Sequence, residues 1–295
     1  MTAKAASCEE YGCPLWDADG DPTDMTDVAH SWGIFDATKL ILEIPLRDGL
    51  EHIVVAQRLG LEGSSLSTAR YVWKAAVMLC NFFSHCMTSE DGADHPIKAV
   101  EVGAGTGICA VALARCLGGS CEVVATDLAM ALPLLRDSVA RNMLEASVSC
   151  QELDWEQPQG SPTLMQAHLV FGSDLLDLQC GLPLLFKLMR TACQNGAMVV
   201  LAYEHRISKR EIHAALTDGL SSTDGNIPWV ELRNGCWNDS GIALDPVDDN
   251  LSIYIMGDLA AHVSTEGPLG RLSKLVQKCM AFPEACQNAS RSNGA

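Results

Sequence analysis

Apolar positions along the chain recur at two spacings, and the order in which those spacings alternate predicts an architecture. Residues 38–46, ATKLILEIP, and 51–59, EHIVVAQRL, are β-rich runs around an Arg-Asp-Gly turn signal, which predicts a hairpin. Residues 70–83, RYVWKAAVMLCNFF, carry apolar residues at helical spacing. After a polar break, TSEDGADHP, strand-like apolar runs occur at 97–102, 121–126, 148–153, 167–173 and 197–203. Helix-length segments at 106–117, 129–143 and 181–194 lie between most of them. Strands alternating with helices predict a parallel sheet covered on both faces. The pattern then changes. WVELR at 229–233 and LSIYIMGDL at 251–259 follow each other without a helical period between them, which predicts an antiparallel pair closing the sheet. The expected fold is α/β, with a seven-stranded, mostly parallel sheet and an N-terminal β-hairpin. Its domain spans residues 35–262, with an extension at 1–34 and a C-terminal helix or tail at 263–295, of which QNASRSNGA is expected to fray.

Composition narrows the picture. Of the 295 residues, 48% are apolar and 19% charged, which is globular rather than disordered composition. The formal net charge of −17 argues against a protein whose task is to grip a phosphate backbone, so no nucleic acid is expected as partner. Between Lys4 and Lys39 there is no Lys or Arg, while Glu9, Glu10, Asp17, Asp19, Asp21, Asp24, Asp27 and Asp36 all fall there. Such a stretch is either a solvated arm or a surface for a basic partner. The 13 cysteines are odd in number, form no CxxC pair, and in part sit in apolar runs. They are expected to be reduced, buried thiols. The first residues, MTAKAASCEE, lack an apolar leader segment, and no apolar run has the length of a membrane span. A cytoplasmic or nuclear protein with no membrane association is therefore expected. His30, His52, His85 and His95 show no ligand spacing, so no metal is expected.

The chemistry is carried by residues 97–114, IKAVEVGAGTGICAVALA: a strand, three glycines at alternate positions, then a helix. Such a turn brings a ligand to the carboxyl end of a parallel sheet. A dinucleotide site needs Gly-x-Gly-x-x-Gly, and the position completing that pattern is Ile108. A phosphate loop needs Gly-Lys-Ser/Thr, which is absent. Glu-x-Gly-x-Gly-x-Gly suits S-adenosylmethionine better, because that cofactor has no phosphate and carries a sulfonium and an ammonium that a carboxylate at Glu101 favours. Twenty residues beyond Gly107, after the strand CEVVATD, Asp127 stands where a carboxylate can accept ribose hydroxyls.

Further motifs come in a specific order: YVWKAA (71–76), VEVGAGTGI (100–108), ATDL (125–128), Leu-x-x-x-x-x-x-Asn ending at Asn142, LDW (153–155), FGSDLLD (171–177) and LAYEHR (201–206). Over roughly residues 35–260 this order resembles the Rossmann-like class I methyltransferases, and more narrowly methyltransferase family 16, a group of protein-lysine methyltransferases. The resemblance implies S-adenosylmethionine as cofactor and a protein substrate. It implies that Glu101, Gly103, Ala104, Gly105 and Gly107 line the methionine end of the cofactor. Asp127 and Leu128 would lie at the ribose, Asp154 and Trp155 at the adenine, with Trp73 over the cofactor and Ser173 beside it. Asp174 heads the motif that in this family is D-x-x-Y and holds the target lysine. Here it reads DLLD, with Asp177 at the tyrosine position and Tyr203 as a possible aromatic substitute. Lys74 replaces the Pro or Asp that often follows the motif Trp. Each residue has a structural alternative: Trp73 and Trp155 as core, Asp154 as a turn cap, Asp174 as a helix cap. His205 and Arg206 are expected to be loop and surface charge. The altered acceptor motif keeps two other readings open, a methyltransferase for small molecules or other side chains, and a cofactor-binding protein with little catalysis. A nicotinamide oxidoreductase ranks behind these because of Ile108.

Overall fold

The computed structural model describes residues 35–36, 39–46, 50–57, 68–87, 96–156, 162–176, 181–206, 208–222, 225–233, 250–263, 267–280 and 286–288. The acidic stretch at 1–34 and Asp177 lie outside them.

In chain order the elements begin with a hairpin, β1 (Ile41–Ile44) and β2 (Ile53–Ala56), followed by α1 (Lys74–Cys86) and β3 (Ile97–Val102). Then come α2 (Ile108–Leu117), β4 (Cys121–Asp127), α3 (Leu132–Arg141), β5 (Val148–Glu152), a short α4 (Pro162–Met165) and β6 (Leu169–Ser173). The second half holds α5 (Leu182–Gln194), β7 (Met198–Glu204), α6 (Lys209–Gly219), and a two-residue pair, β8 (Ser221–Ser222) and β9 (Gly225–Asn226). It ends with β10 (Trp229–Arg233), β11 (Leu251–Met256), α7 (Leu259–Val263), α8 (Pro268–Met280) and β12 (Cys286–Asn288).

The main sheet has the order β12-β10-β11-β7-β6-β3-β4-β5. Neighbours from β7 through β5 are parallel, and β11 and β10 close the sheet as an antiparallel pair beside β7. The α/β class and the seven strands expected from periodicity are all present. An eighth strand is added: β12 pairs antiparallel with β10 and draws Gln287 and Asn288 out of the expected frayed end. Three residues give no periodicity to read, so this edge pairing was invisible in the sequence.

Alternation along each central strand splits the core into two layers. On β7, Met198, Val200 and Ala202 face one cluster, with the hairpin, α1, α2 and α8. Val199, Leu201 and Tyr203 face the other, with α5 and α6. Helix α1 is buried almost all round because α2, α8 and the sheet enclose it. Phe83 of α1 meets Phe171 of β6 edge-on, with ring centroids 5.2 Å apart. Burying each such ring contributes about 1.5–3 kcal/mol.

Local chemistry sets the helix boundaries. The expected helix at 106–117 begins at Ile108, because Gly105 and Gly107 have φ of 52° and 78°. The helix expected at 129–143 stops at Arg141 and is followed closely by Met143 at φ 53°. Helix α6 starts on a capping box: Ser208 Oγ accepts from Glu211 N, and the Glu211 carboxylate accepts from Ser208 N. The hairpin is joined to the body by side-chain amides. Asn142 accepts from Val54 N at 2.9 Å and donates to Val54 O at 2.6 Å, so it completes β2 as another strand would. Gln57 accepts from Val72 N at 2.7 Å and donates to the carbonyls of Asp36 and Lys39, fastening the hairpin to the entry of α1.

Candidate functional site

Strands β6, β3 and β4 lie side by side and parallel, so their carboxyl ends deliver three sequence features to one edge of the sheet. They are the turn holding Asp174, the glycine turn, and Asp127.

The glycine turn is built on left-handed backbone. Gly103 has φ 61°, and a side chain there would lie 2.7 Å from Leu175 Cδ2 and 3.4 Å from the Trp155 ring. Gly105 lies under the lead-in to α1, where a Cβ would come within 3.3 Å of the Ala69 carbonyl. Ala104 N donates to Thr126 O at 2.9 Å, and Gly107 N to Ala104 O at 2.7 Å.

Asp127 is oriented by this turn. Its Oδ2 accepts from Gly105 N at 2.7 Å and its Oδ1 from Leu128 N at 2.7 Å. Each carboxylate oxygen has a second lone pair, so both can still accept from a ligand. Burial pushes the Asp127 carboxyl up, and the two backbone N–H groups pull against it. Leu128 and Met130 stand exposed beyond it, 48% and 44%, as apolar surface beside the carboxylate. Asp154 follows β5, accepts from Glu156 N at 2.9 Å as a turn residue does, and is half-buried. Trp155 is half-buried against the second core layer and reaches the Gly103 backbone.

Glu101 departs from its expected role. Strand alternation turns it, with Ile97 and Ala99, toward α2. Its Oε2 accepts from Ala110 N at 2.9 Å, and the residue is 1% exposed. Burial, the neighbouring Cys109 thiol and Asp127 push its carboxyl well above the usual range, against the Ala110 hydrogen bond. Glu101 therefore braces the helix start behind the turn. Cys109 lies beside it, its Sγ 3.6 Å from Ala76 O and 3.8 Å from Ser173 Oγ, and burial pushes its thiol well up.

Asp174 is a non-glycine residue at φ 59°, a conformation Asp tolerates better than most residues. Its N–H donates to Ala202 O at 2.8 Å, so the turn is registered against β7. The side chain is 4% exposed, and the next described helix, α5, takes Gly181 and not Asp174 as its N-cap. Instead Arg206 grips it with both arms of its guanidinium, Nη1 to Oδ1 at 2.9 Å and Nη2 to Oδ2 at 2.5 Å. Arg206 Nη2 also lies 3.4 Å from Glu204 Oε2, and Lys74 Nζ lies 3.6 Å from Glu204 Oε1. The guanidinium sits 5.1 Å from the centroid of the Trp73 ring, whose indole N–H donates to Thr68 O at 2.9 Å.

This corrects two expectations. Arg206 is no plain surface charge; it holds the carboxylate expected to hold the acceptor. His205, in the connection just past β7, is no surface charge either: its side chain is 3% exposed and its Nε2 lies 3.0 Å from Ser252 Oγ. The signal that could have found Arg206 is positional, since it follows β7 at the carboxyl edge where ligands bind. Tyr203 is not brought to the site. It is fully buried in the layer with α5 and α6, edge-on to His205 at 5.2 Å, because its side chain leaves β7 on the face opposite α1. Asp177, the other residue of the altered motif, lies outside the described residues. Among the described residues no cluster of His, Cys, Asp or Glu could hold a metal ion, and no helix is long and apolar enough to cross a membrane.

A family profile described as lysine methyltransferase matches residues 58–217, more than half of the chain. The chain belongs to the lysine methyltransferase family. Similar curated members include the EEF1A lysine methyltransferase 3 of Mus musculus, 34% identical over 49% of this chain and 59% of that protein. The protein N-lysine methyltransferase METTL21A of Mus musculus is 29% identical over 49% of this chain and 64% of that protein. The EEF1A lysine methyltransferase 3 of Xenopus tropicalis is 30% identical over 51% and 64%. The chain thus spans less than two thirds of the length of each of these relatives. In this lysine methyltransferase family member the profile runs from the end of the hairpin through the glycine turn, Asp127, Asp174 and Arg206 into α6.

Proposed function

We propose that the chain is an S-adenosylmethionine-dependent methyltransferase that methylates a lysine side chain of a protein. The observation that carries this reading is the delivery of Asp174, the glycine turn and Asp127 by three adjacent parallel strands, in a chain of the lysine methyltransferase family. The residues fit the cofactor. The glycine turn lets backbone approach closely, Asp127 is held with lone pairs open to ribose hydroxyls, and Trp155, Leu128 and Met130 supply apolar surface for a purine. No phosphate-binding lysine accompanies the turn, in keeping with a cofactor that has no phosphate.

When bound, the cofactor supplies a methyl group activated on a sulfonium. The chain's residues have to align an acceptor with it and exclude water. Glu101 and the Ala110 N–H hold the helix start firm behind the turn. Asp127 fixes the ribose end. Asp174, at the neighbouring strand end, receives the acceptor nitrogen. The nucleophile must be a free amine, because an ammonium has no lone pair.

The test is transfer of tritium from methyl-labelled S-adenosylmethionine into the proteins of a cell extract, read on a gel, with S-adenosylhomocysteine binding measured alongside. A discrete labelled band with wild type is expected. Asp127→Ala should weaken cofactor binding by about 10- to 100-fold, the range for losing charge-assisted hydrogen bonds. Asp174→Ala should lower transfer while leaving cofactor binding nearly intact. Label found only in small molecules would transfer the assignment to a small-molecule acceptor.

A further inference from the structure

Strand alternation continues past the end of β7. Tyr203 and His205 project into the layer that carries α6. Glu204 and Arg206 project the other way, toward Lys74 and Trp73 at the start of α1. His205 N donates to Asn250 O at 2.7 Å, so the chain is still paired at this point. On the α6 side lies Glu231, a fully buried carboxylate of β10. Its Oε1 accepts from Ser252 Oγ at 2.6 Å, and its Oε2 lies 3.1 Å from His213 Nε2. Lys209 Nζ stands 3.5 Å from Oε1, and His205 Nε2 stands 3.9 Å from it. Against burial, the hydrogen bonds from His213 and Ser252 and the charge of Lys209 hold the Glu231 carboxyl at about 2. It is therefore an anion at neutral pH, and an anion can only accept. The Ser252 proton is committed to Glu231, which leaves Ser252 Oγ to accept from His205 Nε2 at 3.0 Å. Tyr254 OH lies 3.3 Å from the same nitrogen. Glu231 thus gathers two residues that flank Arg206 in the chain: His205, immediately before it, through Ser252, and Lys209, the first residue of α6, directly.

We propose that Glu231 is a positioning residue for the acceptor side of the site: by holding His205 and Lys209 on either side of Arg206, it fixes where the guanidinium meets Asp174. The inference rests on the methyltransferase reading and assigns a residue outside the site that sets its geometry. A buried carboxylate makes a stiff anchor. Releasing one of its partners leaves charge unpaired away from water, so the clamp does not open cheaply. Trp73 and Glu204 confine the guanidinium itself on the α1 side. Glu231 fixes the backbone that carries it.

The test compares wild type, Glu231→Gln, Ser252→Ala and Lys209→Met as full chains, below all their thermal midpoints. The nitrogen-15 spectrum of the guanidinium groups reads Arg206, whose signals are assigned by their loss in Arg206→Lys. A guanidinium gripped by both arms turns slowly about its Cζ–N bonds, so wild type should show separate Nη signals. In Glu231→Gln they should merge. Tritium transfer into extract proteins should then fall by about 10- to 100-fold, as it does when a positioning group is displaced slightly. S-adenosylhomocysteine binding should stay nearly unchanged, because the glycine turn and Asp127 belong to other strands. A merely structural role would lower transfer and cofactor binding together, with the folded fraction, and would leave the Arg206 signals of folded molecules separate. Ser252→Ala and Lys209→Met each release one side of the clamp and should each give part of the loss, and they carry the test if Glu231→Gln does not fold. Separate Nη signals in every variant, or full transfer with the signals merged, would overturn the inference. So would signals already merged in wild type. If wild type transferred no methyl group and bound no S-adenosylhomocysteine, the methyltransferase reading would fall, while the Arg206 signals would still decide whether Glu231 holds that residue.

Discussion

Gly107 is where an added methyl group would be felt most directly. Its φ is 78°, and a Cβ there would stand 2.2 Å from Leu135 Cδ1. Gly107→Ala should cost about 1–3 kcal/mol through backbone strain and crowding, since the Leu135 side chain can yield only partly. A drop of several degrees in the thermal midpoint is the expected reading for a domain of this size. The glycines were legible in the sequence as a tight turn between strand and helix. Their packing reasons were not. Leu175 fills the space beside Gly103 and Gly172, with Cδ atoms 2.7 Å from where either Cβ would be, and so joins the glycine turn to the Asp174 turn. Arg206 shows the same limit. Its residue type was visible, but only the register of β6 against β7 puts it on Asp174.

Among the elements, the hairpin depends most on one distant side chain. β1 and β2 form a two-stranded sheet of their own, apart from the main sheet. Asn142, at the end of α3, supplies both hydrogen bonds to Val54 and is itself 2% exposed. Asn142→Ala would leave a backbone N–H and C=O of β2 without that partner, a loss of about 2–3 kcal/mol. Hydrogen–deuterium exchange should rise across residues 53–56 while α6, secured by its own capping box, stays protected. Equal protection of the hairpin in wild type and variant would show that packing of Ile53 and Val55 suffices. The Asn was visible in the sequence as part of a motif. Its task was not, because a separation of 88 positions from Val54 to Asn142 hides the contact from any local pattern.

At the scale of the molecule, two buried glutamates make stability depend on pH in opposite directions. Burial would raise the Glu231 carboxyl, but hydrogen bonds from His213 and Ser252 and the charge of Lys209 outweigh it and hold it at about 2 instead of 4.5. A depressed carboxyl contributes stability that is complete above its unfolded value and disappears as pH falls through the folded one. The advantage of wild type over Glu231→Gln should therefore shrink as pH drops from about 4.5 toward 2. Glu101 is raised, chiefly by burial. The unfolded chain ionises first, so wild type should lose ground to Glu101→Gln as pH rises above 4.5. Denaturant midpoints of the three proteins from pH 2.5 to 8 would check both slopes. Parallel curves would mean that neither carboxyl differs between the folded and unfolded chain.

Periodicity and motif order by themselves determined the α/β class, the hairpin, the seven main strands and the glycine turn, because each of these is a local regularity of apolar spacing or backbone freedom. They also brought out Asp127 and Asp174, since strand ends in such sheets are where ligands are met. The tertiary structure alone decided what those residues touch. It turned Glu101 back onto its own helix and sent Tyr203 into the far core layer. It added β12 at the edge, and it set Arg206 and Trp73 around Asp174. Each of these outcomes depends on which strands become neighbours and in which register. That choice belongs to the packing of the whole chain, and no short stretch of sequence records it.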